Sequence, residues 1–215
     1  MTESRSLKRK HMRIRQVDKH MQTSLKGIAA RAQNDPKHRF GNLYGLLNDT
    51  NLWSCFSGMN KKAAPGVDKV DYKKYEENLD ENIGQLVDDL KGKRYKAKLV
   101  RRKNIPKDNG KVRALGIPAI GDKLLQTTGA KILSAIFEQD FKDFSHGYRR
   151  GKGPQKAALQ LRDELLFRKY NFVVEADIKG FFDNLDHDWL IRMLETRIDD
   201  NQFINLIRKW LKAGI

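Results

Sequence analysis

The sequence has little of what secreted and membrane-spanning proteins carry. Cys55 is the only cysteine among 215 residues, so no internal disulfide can form and a reducing compartment is expected. No apolar run approaches the roughly 18 residues that a membrane helix requires, and no charged-then-apolar signal peptide opens the chain. These absences exclude a small disulfide-stabilised secreted protein and predict a protein without a membrane span.

Acidic residues are also scarce, because 43 Lys and Arg residues stand against 27 Asp and Glu residues, a formal charge of +16. Two windows hold the whole excess. Residues 1–26 contain eight basic and two acidic residues, and residues 91–113 contain eleven basic residues and one acidic residue. Such concentrated charge attracts polyanions by counterion release. Nucleic-acid binding is therefore favoured over a basic face kept for solubility, or over a membrane surface, which would favour an amphipathic helix.

Hydrophobic periodicity predicts a helix-rich α+β protein. Two β-type runs, Lys98–Ile105 and Lys111–Ile117, flank an Asn109-Gly110 turn, which predicts a β-hairpin over 95–117. The β-branched run Phe172–Asp177 predicts a strand. Helical spacing occurs in six segments: 40–56, 72–91, 119–139, 154–170, 187–197 and 200–213.

The segment 172–187 has the clearest chemical pattern. The predicted strand delivers the Asp177 carboxylate at its C-terminal end, followed at once by Gly180 and two phenylalanines. Mg²⁺ binds carboxylate and carbonyl oxygens together with substrate phosphates, so a metal-binding carboxylate is predicted at Asp177. Asp183 and Asp186 are better interpreted as turn and helix-cap residues, and His187 as a packed structural residue.

Five blocks resemble, in order, motifs of the group II intron-encoded reverse transcriptases. Val173–His187 resembles their first palm motif, and Ile105–Pro118 resembles their fingers hairpin. The other blocks are Ala64–Asp68, similar to the N-terminal extension of non-retroviral reverse transcriptases, Asp122–Gln126 with Ile136–Glu138, and Ser145–Arg149. The resemblance implies a fingers-palm fragment of a right-hand polymerase, helix-rich with a β-hairpin and a palm strand.

The resemblance also implies a division of the chain. A basic N-terminal arm or helix occupies 1–35, and the N-terminal extension with helical fingers occupies 36–92. The fingers with the basic hairpin 95–117 extend over 93–170. The start of the palm, with the first catalytic motif, occupies 171–215.

Site residues follow from the matched motifs. Asp177 matches the first catalytic aspartate, and the Ile178 carbonyl is the neighbouring metal ligand in a two-Mg²⁺ site. Lys107 and Arg113 match residues that hold the incoming triphosphate, and Phe182 matches the aromatic that packs under the sugar. The expected RNA or template contacts are Lys103 and Arg149, with Lys8, Arg9, Lys10, Arg13 and Arg15 in the arm.

One departure from the family is large, because the second palm motif, Tyr-x-Asp-Asp, is absent. We therefore expect a fragment that does not extend a primer alone. The expected partners are intron RNA, an RNA template with a DNA primer, and dNTP, with no membrane, in the bacterial cytoplasm, and a homodimer could form through exposed core. The alternatives are an RNA-binding splicing cofactor without catalysis, or a retron, diversity-generating or CRISPR-associated reverse transcriptase.

Overall fold

A computed structural model describes residues 21–106, 110, 112–167 and 170–214. Helices dominate this part of the chain, and two antiparallel strands form its sheet. Residues 21–34 form α1, and a short 3-10 helix covers Tyr44–Leu46. The remaining elements are α2 (Asp49–Ser57), α3 (Tyr72–Glu77), α4 (Leu79–Lys91), β1 (Arg101–Pro106), β2 (Val112–Ile117), α5 (Ile120–Phe137), α6 (Pro154–Phe167), α7 (His187–Glu195) and α8 (Asn201–Ala213).

The core lies between α2, α4, α5 and α8. Each of these helices buries an apolar stripe, and Leu52, Leu124 and Phe203 are completely buried. The Phe56 ring stacks on Tyr72 with centroids 4.4 Å apart, which joins α2 to α3. The helical periodicity of 119–139 is confirmed as α5, the longest described helix. Burial of such stripes supplies most of the stability of helices in proteins.

The predicted helix over 72–91 is two helices. The chain leaves helical geometry at Asn78, where φ is −121° and ψ is 44°. Asp71 caps α3 by accepting the Lys74 N–H at 2.9 Å, and the Asn82 amide donates across the break to the Tyr75 carbonyl at 2.9 Å. Asn and Asp side chains compete for backbone hydrogen bonds in this way. The predicted segment 40–56 is interrupted similarly, by Asn48, which caps α2.

Arg197 fastens the N-terminal region to the connection between α7 and α8. Its residue is 4% exposed, and its guanidinium donates to the carbonyls of Ala32 at 3.1 Å and His38 at 3.3 Å. Nε lies 3.0 Å from the Asp140 carboxylate, and the Phe40 N–H donates to the Arg197 carbonyl at 2.8 Å. One buried cation therefore joins α1, the end of α5 and α7.

The predicted hairpin is confirmed, with a later start to its first strand. Before Arg101 the backbone bonds to helices instead of to β2. The Lys98 N–H donates to the Asp122 carboxylate at 3.1 Å, and the Val100 N–H donates to the Ala213 carbonyl at 3.2 Å. These bonds fix the root of the hairpin against α5 and α8.

The predicted palm strand is wrong for this chain. Residues 171–178 have no regular secondary structure and are exposed, with Phe172 at 90% and Val174 at 91%. A strand needs a neighbour for its N–H and C=O groups, and no other described residue pairs with this segment. The helix before it, α6, buries none of its residues. No described helix is both long and apolar enough to cross a bilayer.

Candidate catalytic and nucleic-acid-binding site

The catalytic segment, defined here as residues 170–186, presents Asp177 at the surface just before a tight turn. Asn184 donates its N–H at 3.0 Å and its side-chain amide at 2.9 Å to the Gly180 carbonyl. Gly180 has φ of +63°, which favours glycine. A Cβ there would lie 2.9 Å from the Asn184 amide nitrogen. The turn therefore begins within three residues of the carboxylate.

Three aromatic rings gather beside this turn. Phe181 and Phe182 meet edge to face with centroids 5.3 Å apart, and Tyr148 meets Phe182 at 6.4 Å. All three rings are exposed, Phe182 by 69% and Tyr148 by 95%. Exposed aromatic faces can stack on a base or pack against a sugar. The cluster brings the loop after α5 next to the catalytic segment.

The described residues offer an incomplete metal site. They contain no group of three or more His, Cys, Asp or Glu side chains that could hold an ion. Asp186 accepts the Trp189 N–H at 2.9 Å as the N-cap of α7, which confirms its interpretation as a cap. Asp177 and the adjacent Ile178 carbonyl thus supply one carboxylate and one carbonyl. This donor pair fits one Mg²⁺ ion that takes its other oxygens from water and phosphates, and it is too small for two ions.

The hairpin gathers basic side chains on one face. Strand residues that pair directly project on the same side, and successive residues alternate. Lys103 pairs with Leu115, and Ile105 pairs with Arg113. The side chains of Arg101, Lys103 and Arg113 therefore share a face, and Lys103 and Arg113 are exposed. Lys107, predicted to hold the triphosphate, lies outside the described residues.

The loop 64–68 holds the root of the hairpin. Asp68 forms a 2.9 Å ion pair with Lys98, and Arg101 Nε donates to the Pro65 carbonyl at 3.0 Å. Gly66 lies so near α5 that a Cβ would approach Ala119 backbone atoms to 2.5 Å. The block Ala64–Asp68, noticed in the sequence only as a family resemblance, is thus a contact between the N-terminal half and the hairpin.

Two carboxylates at this root have pKa values shifted in opposite directions. Burial raises the pKa of Asp122, although the Tyr95 hydroxyl donates to it at 2.5 Å. Burial alone would also raise the pKa of Asp68, but the Lys98 ammonium and the Val70 N–H outweigh burial and lower it. Asp122 therefore belongs to the buried polar network under the hairpin, and Asp68 belongs to its charged rim.

Arg149 has an internal set of partners. Its side chain is 7% exposed and pairs with Glu138 at 2.7 Å. It also donates to the carbonyls of Lys142 at 2.7 Å and Ser145 at 2.8 Å, and it lies over the Phe141 ring. These contacts brace the loop that carries the exposed aromatic Tyr148. The template contact predicted for Arg149 stays a prediction, and the observed contacts favour a structural role.

Residues 105–214 match the family model described as reverse transcriptase (RNA-dependent DNA polymerase). The chain belongs to the reverse transcriptase family. It is 41% identical over 136 residues to the group II intron-encoded protein LtrA of Lactococcus lactis subsp. cremoris, covering 63% of this chain and 22% of LtrA. It is 31% identical over 195 residues to protein YkfC of Escherichia coli K12, covering 87% of this chain and 51% of YkfC.

A third relative is the mitochondrial nuclear intron maturase 1 of Arabidopsis thaliana, 27% identical over 95 residues, which cover 44% of this chain and 13% of that protein. These similarities confirm the resemblance to group II intron reverse transcriptases and maturases. The chain spans about a fifth of LtrA and about half of YkfC.

The reverse transcriptase match contains the end of β1, β2, the aromatic cluster and Asp177. The predicted RNA contacts of the arm, Lys8, Arg9, Lys10, Arg13 and Arg15, lie outside the described residues. Sequence analysis missed Tyr148. The available signal was its place in the block Ser145–Arg149, beside the arginine that was selected, but only the fold shows its ring against Phe182.

Proposed function

We propose that this chain is the fingers and the beginning of the palm of an RNA-directed DNA polymerase encoded by a group II intron. The observation that carries the proposal is the reverse transcriptase match over 105–214, which contains the basic hairpin and the exposed Asp177 in one stretch. The right-hand polymerase architecture and the division at 35, 92 and 170 are parts of this proposal.

In the proposed reaction, Asp177 and the Ile178 carbonyl hold Mg²⁺, which when bound stabilises the charge that develops during nucleotidyl transfer. Arg113 and Lys107 hold the triphosphate of dNTP, because a guanidinium fork and an ammonium group both pair with phosphate oxygens. Phe182, with 69% of its surface exposed, is free to pack against the sugar. Lys103 contacts the template from the same hairpin face as Arg113.

Intron RNA is the second proposed ligand, and the basic arm 1–26 is its proposed site. The support is the net charge of that window and the maturase named among the relatives. A binding role in splicing and a polymerase role are compatible within one protein. The arm contributes to the first, and the catalytic segment contributes to the second. The bacterial cytoplasm stays the predicted location.

The sequence of the gene beyond the codon for Ile215 tests the polymerase role. We expect a Tyr-x-Asp-Asp motif within roughly the next hundred codons, the spacing implied by the family resemblance, and a basic helical region after it. The longer product should extend a DNA primer on an RNA template with Mg²⁺. Asp177→Asn should abolish extension, and Asp183→Asn should leave it largely intact. A stop codon at this point would favour the splicing cofactor without catalysis.

The 215-residue chain gives a second test. It should bind RNA and fail to extend a primer, because one carboxylate cannot hold two metal ions. Primer extension by this chain that depends on Asp177 would contradict the proposal. Self-association stays a prediction, motivated by exposed apolar residues such as Phe172 and Val174. Light scattering at high concentration would contradict it by showing only monomer.

A further inference from the structure

We propose that a groove between the end of α4 and α8 binds the phosphate backbone of RNA and continues the basic surface of the hairpin. This inference rests on the proposed RNA-binding function and adds a site to it. The groove has a volume of about 440 Å³. Its lining includes an aromatic ring, an amide and four cations: Tyr44, Asn205, Lys93, Arg208, Lys209 and Lys212.

The groove has a firm wall because α8 is amphipathic. Phe203, Ile204 and Ile207 bury one face of the helix in the core. Asn205, Lys209 and Lys212 follow one another at spacings of four and three residues, so they lie along the opposite face and are exposed. Cations on a helix held by its core need little reordering to meet an anion, which favours binding.

The charge of the groove is poorly neutralised. No acidic side chain lines it. Arg208 pairs with Asp188 at 2.9 Å, but the Asp188 side chain is 79% exposed, so solvent weakens that pair. Among the described residues, no carboxylate forms a salt bridge with Lys93 or Lys212. A surface with four cations and no lining carboxylate attracts a polyanion.

Lys93 occupies a backbone position that suits glycine better. Its φ is +57°, in the left-handed region where a side chain carries a steric cost and glycine does not. Its N–H donates to the Leu90 carbonyl at 3.1 Å, so the strained conformation follows directly on the end of α4. Retaining a lysine here is costly for folding, and a role for its ammonium group in binding explains it.

The groove is continuous with the root of the hairpin. Lys209 Nζ donates to the Tyr95 carbonyl at 2.8 Å, and the Val100 N–H donates to the Ala213 carbonyl at 3.2 Å. Residues 95–100 thus run along the C-terminal end of α8 and lead directly into β1. The cations of α8, remote in sequence from the basic window 91–113, join it in the fold. One RNA strand can contact both surfaces.

Equilibrium RNA binding by the 215-residue chain tests the groove. A fluorescein-labelled single-stranded RNA of about 30 nucleotides, a length chosen to span both surfaces, is titrated at several NaCl concentrations. The groove variant is Lys93→Gln with Lys212→Gln. Its matched control is Lys73→Gln with Lys74→Gln, which removes the same charge from exposed positions on α3. The hairpin variant is Lys103→Gln with Arg113→Gln.

We expect the groove variant to lose roughly tenfold in affinity at about 100 mM salt, and its salt dependence to fall by about two units of slope, one for each lost phosphate contact. The control should change less than about threefold, the effect of lost net charge alone. Equal affinities of the groove and control variants would overturn the groove while the hairpin variant still tests RNA binding. No RNA binding by the unmodified chain would contradict the proposed function itself.

Two further measurements separate binding from folding. Lys93→Gly should weaken RNA binding while leaving the melting temperature unchanged or higher, because glycine relieves the left-handed strain. A lower melting temperature with unchanged RNA affinity would assign Lys93 a structural role and overturn the proposal. Acetylation of lysines followed by mass spectrometry should show RNA protecting Lys93 and Lys212 but not Lys73. Equal modification of all three with and without RNA would also overturn it.

Discussion

The helical body, formed by α2 to α5 with α7 and α8, and the catalytic segment 170–186 contain similar amounts of apolar side chain but bury it very differently. Phe203 in the body is completely buried, whereas Phe172 in the segment is 90% exposed. The body is built from helices, each with its own backbone hydrogen bonds. The segment has β-branched residues but no strand partner among the described residues.

This difference teaches that the two regions depend on different kinds of information. A helix needs only its own residues and one apolar stripe to form against a core. A strand depends on a neighbour that can be distant in sequence. The body therefore folds on contacts that this chain supplies. The catalytic segment keeps its chemistry at the surface, where Asp177 and Phe182 are open to ligands.

The largest effect should come from one substitution made in both regions. Phe203→Ala removes a fully buried ring from α8 and should lower the free energy of unfolding by about 3–5 kcal/mol. Phe172→Ala removes an exposed ring and should change it by less than about 0.5 kcal/mol. Urea denaturation followed by circular dichroism measures both. Comparable losses for the two variants would show that the catalytic segment is packed in solution, and the comparison would fail.

The next effect concerns buried and exposed arginines. Arg197→Met should lower the free energy of unfolding by about 2–4 kcal/mol, because it leaves the carbonyls of Ala32 and His38 without donors. Arg162→Met on α6 is the matched control. Arg162 is 58% exposed and pairs with its neighbour Asp163, so a loss below about 0.5 kcal/mol is expected. Equal losses in urea denaturation would contradict the structural role of Arg197.

Sequence reasoning predicted the elements whose signals are local. The apolar stripe of α5, the Asn109-Gly110 turn of the hairpin and the cap at Asp186 are readable from a few neighbouring residues. It missed features that only tertiary contacts create. Nothing near Arg197 in the sequence indicates that its guanidinium reaches carbonyls some 160 residues away. The same limit explains the wrong strand at 172–177, because strand propensity says nothing about whether a partner strand is present.

The candidate site divides in the same way. Asp177 and Arg113 were found because their motifs resemble a family, and the structure places both at the surface. The Tyr148 ring beside Phe182 and the cations of α8 were not found. Their neighbours in the fold come from other parts of the chain. Motif resemblance thus finds residues within a block, and the fold shows how separate blocks meet.

A smaller effect concerns the helix caps of the body. Asp200 accepts the N–H groups of Gln202 and Phe203 at 3.0 Å, and its second oxygen accepts the Tyr44 N–H at 2.8 Å. Asp200→Ala should lower the free energy of unfolding by about 1–2 kcal/mol. Asp183→Ala, an exposed position in the catalytic segment, should lower it by less than about 0.5 kcal/mol. Equal melting temperatures of the two variants would contradict the importance of this cap.

The smallest effect is a pH dependence with opposite signs at two carboxylates of the hairpin root. Burial raises the pKa of Asp122, so the native state holds this proton more tightly than the unfolded state does. The stability that Asp122 contributes is present below its unfolded pKa near 3.8 and is lost as pH rises through the folded value. The Lys98 pair and the Val70 N–H outweigh burial and lower the pKa of Asp68, so its contribution is present above the unfolded pKa and is lost as pH falls through the folded value.

Urea denaturation of Asp122→Asn and Asp68→Asn between about pH 3 and pH 7, a range that brackets ordinary carboxyl pKa values, should separate these contributions. The stability of the unmodified chain relative to Asp122→Asn should fall as pH rises from about 4. Its stability relative to Asp68→Asn should fall as pH decreases toward 3. Slopes of the same sign for both variants would contradict the assignment of Asp122 to the buried network and Asp68 to the charged rim, because only a difference in environment gives two aspartates opposite linkage.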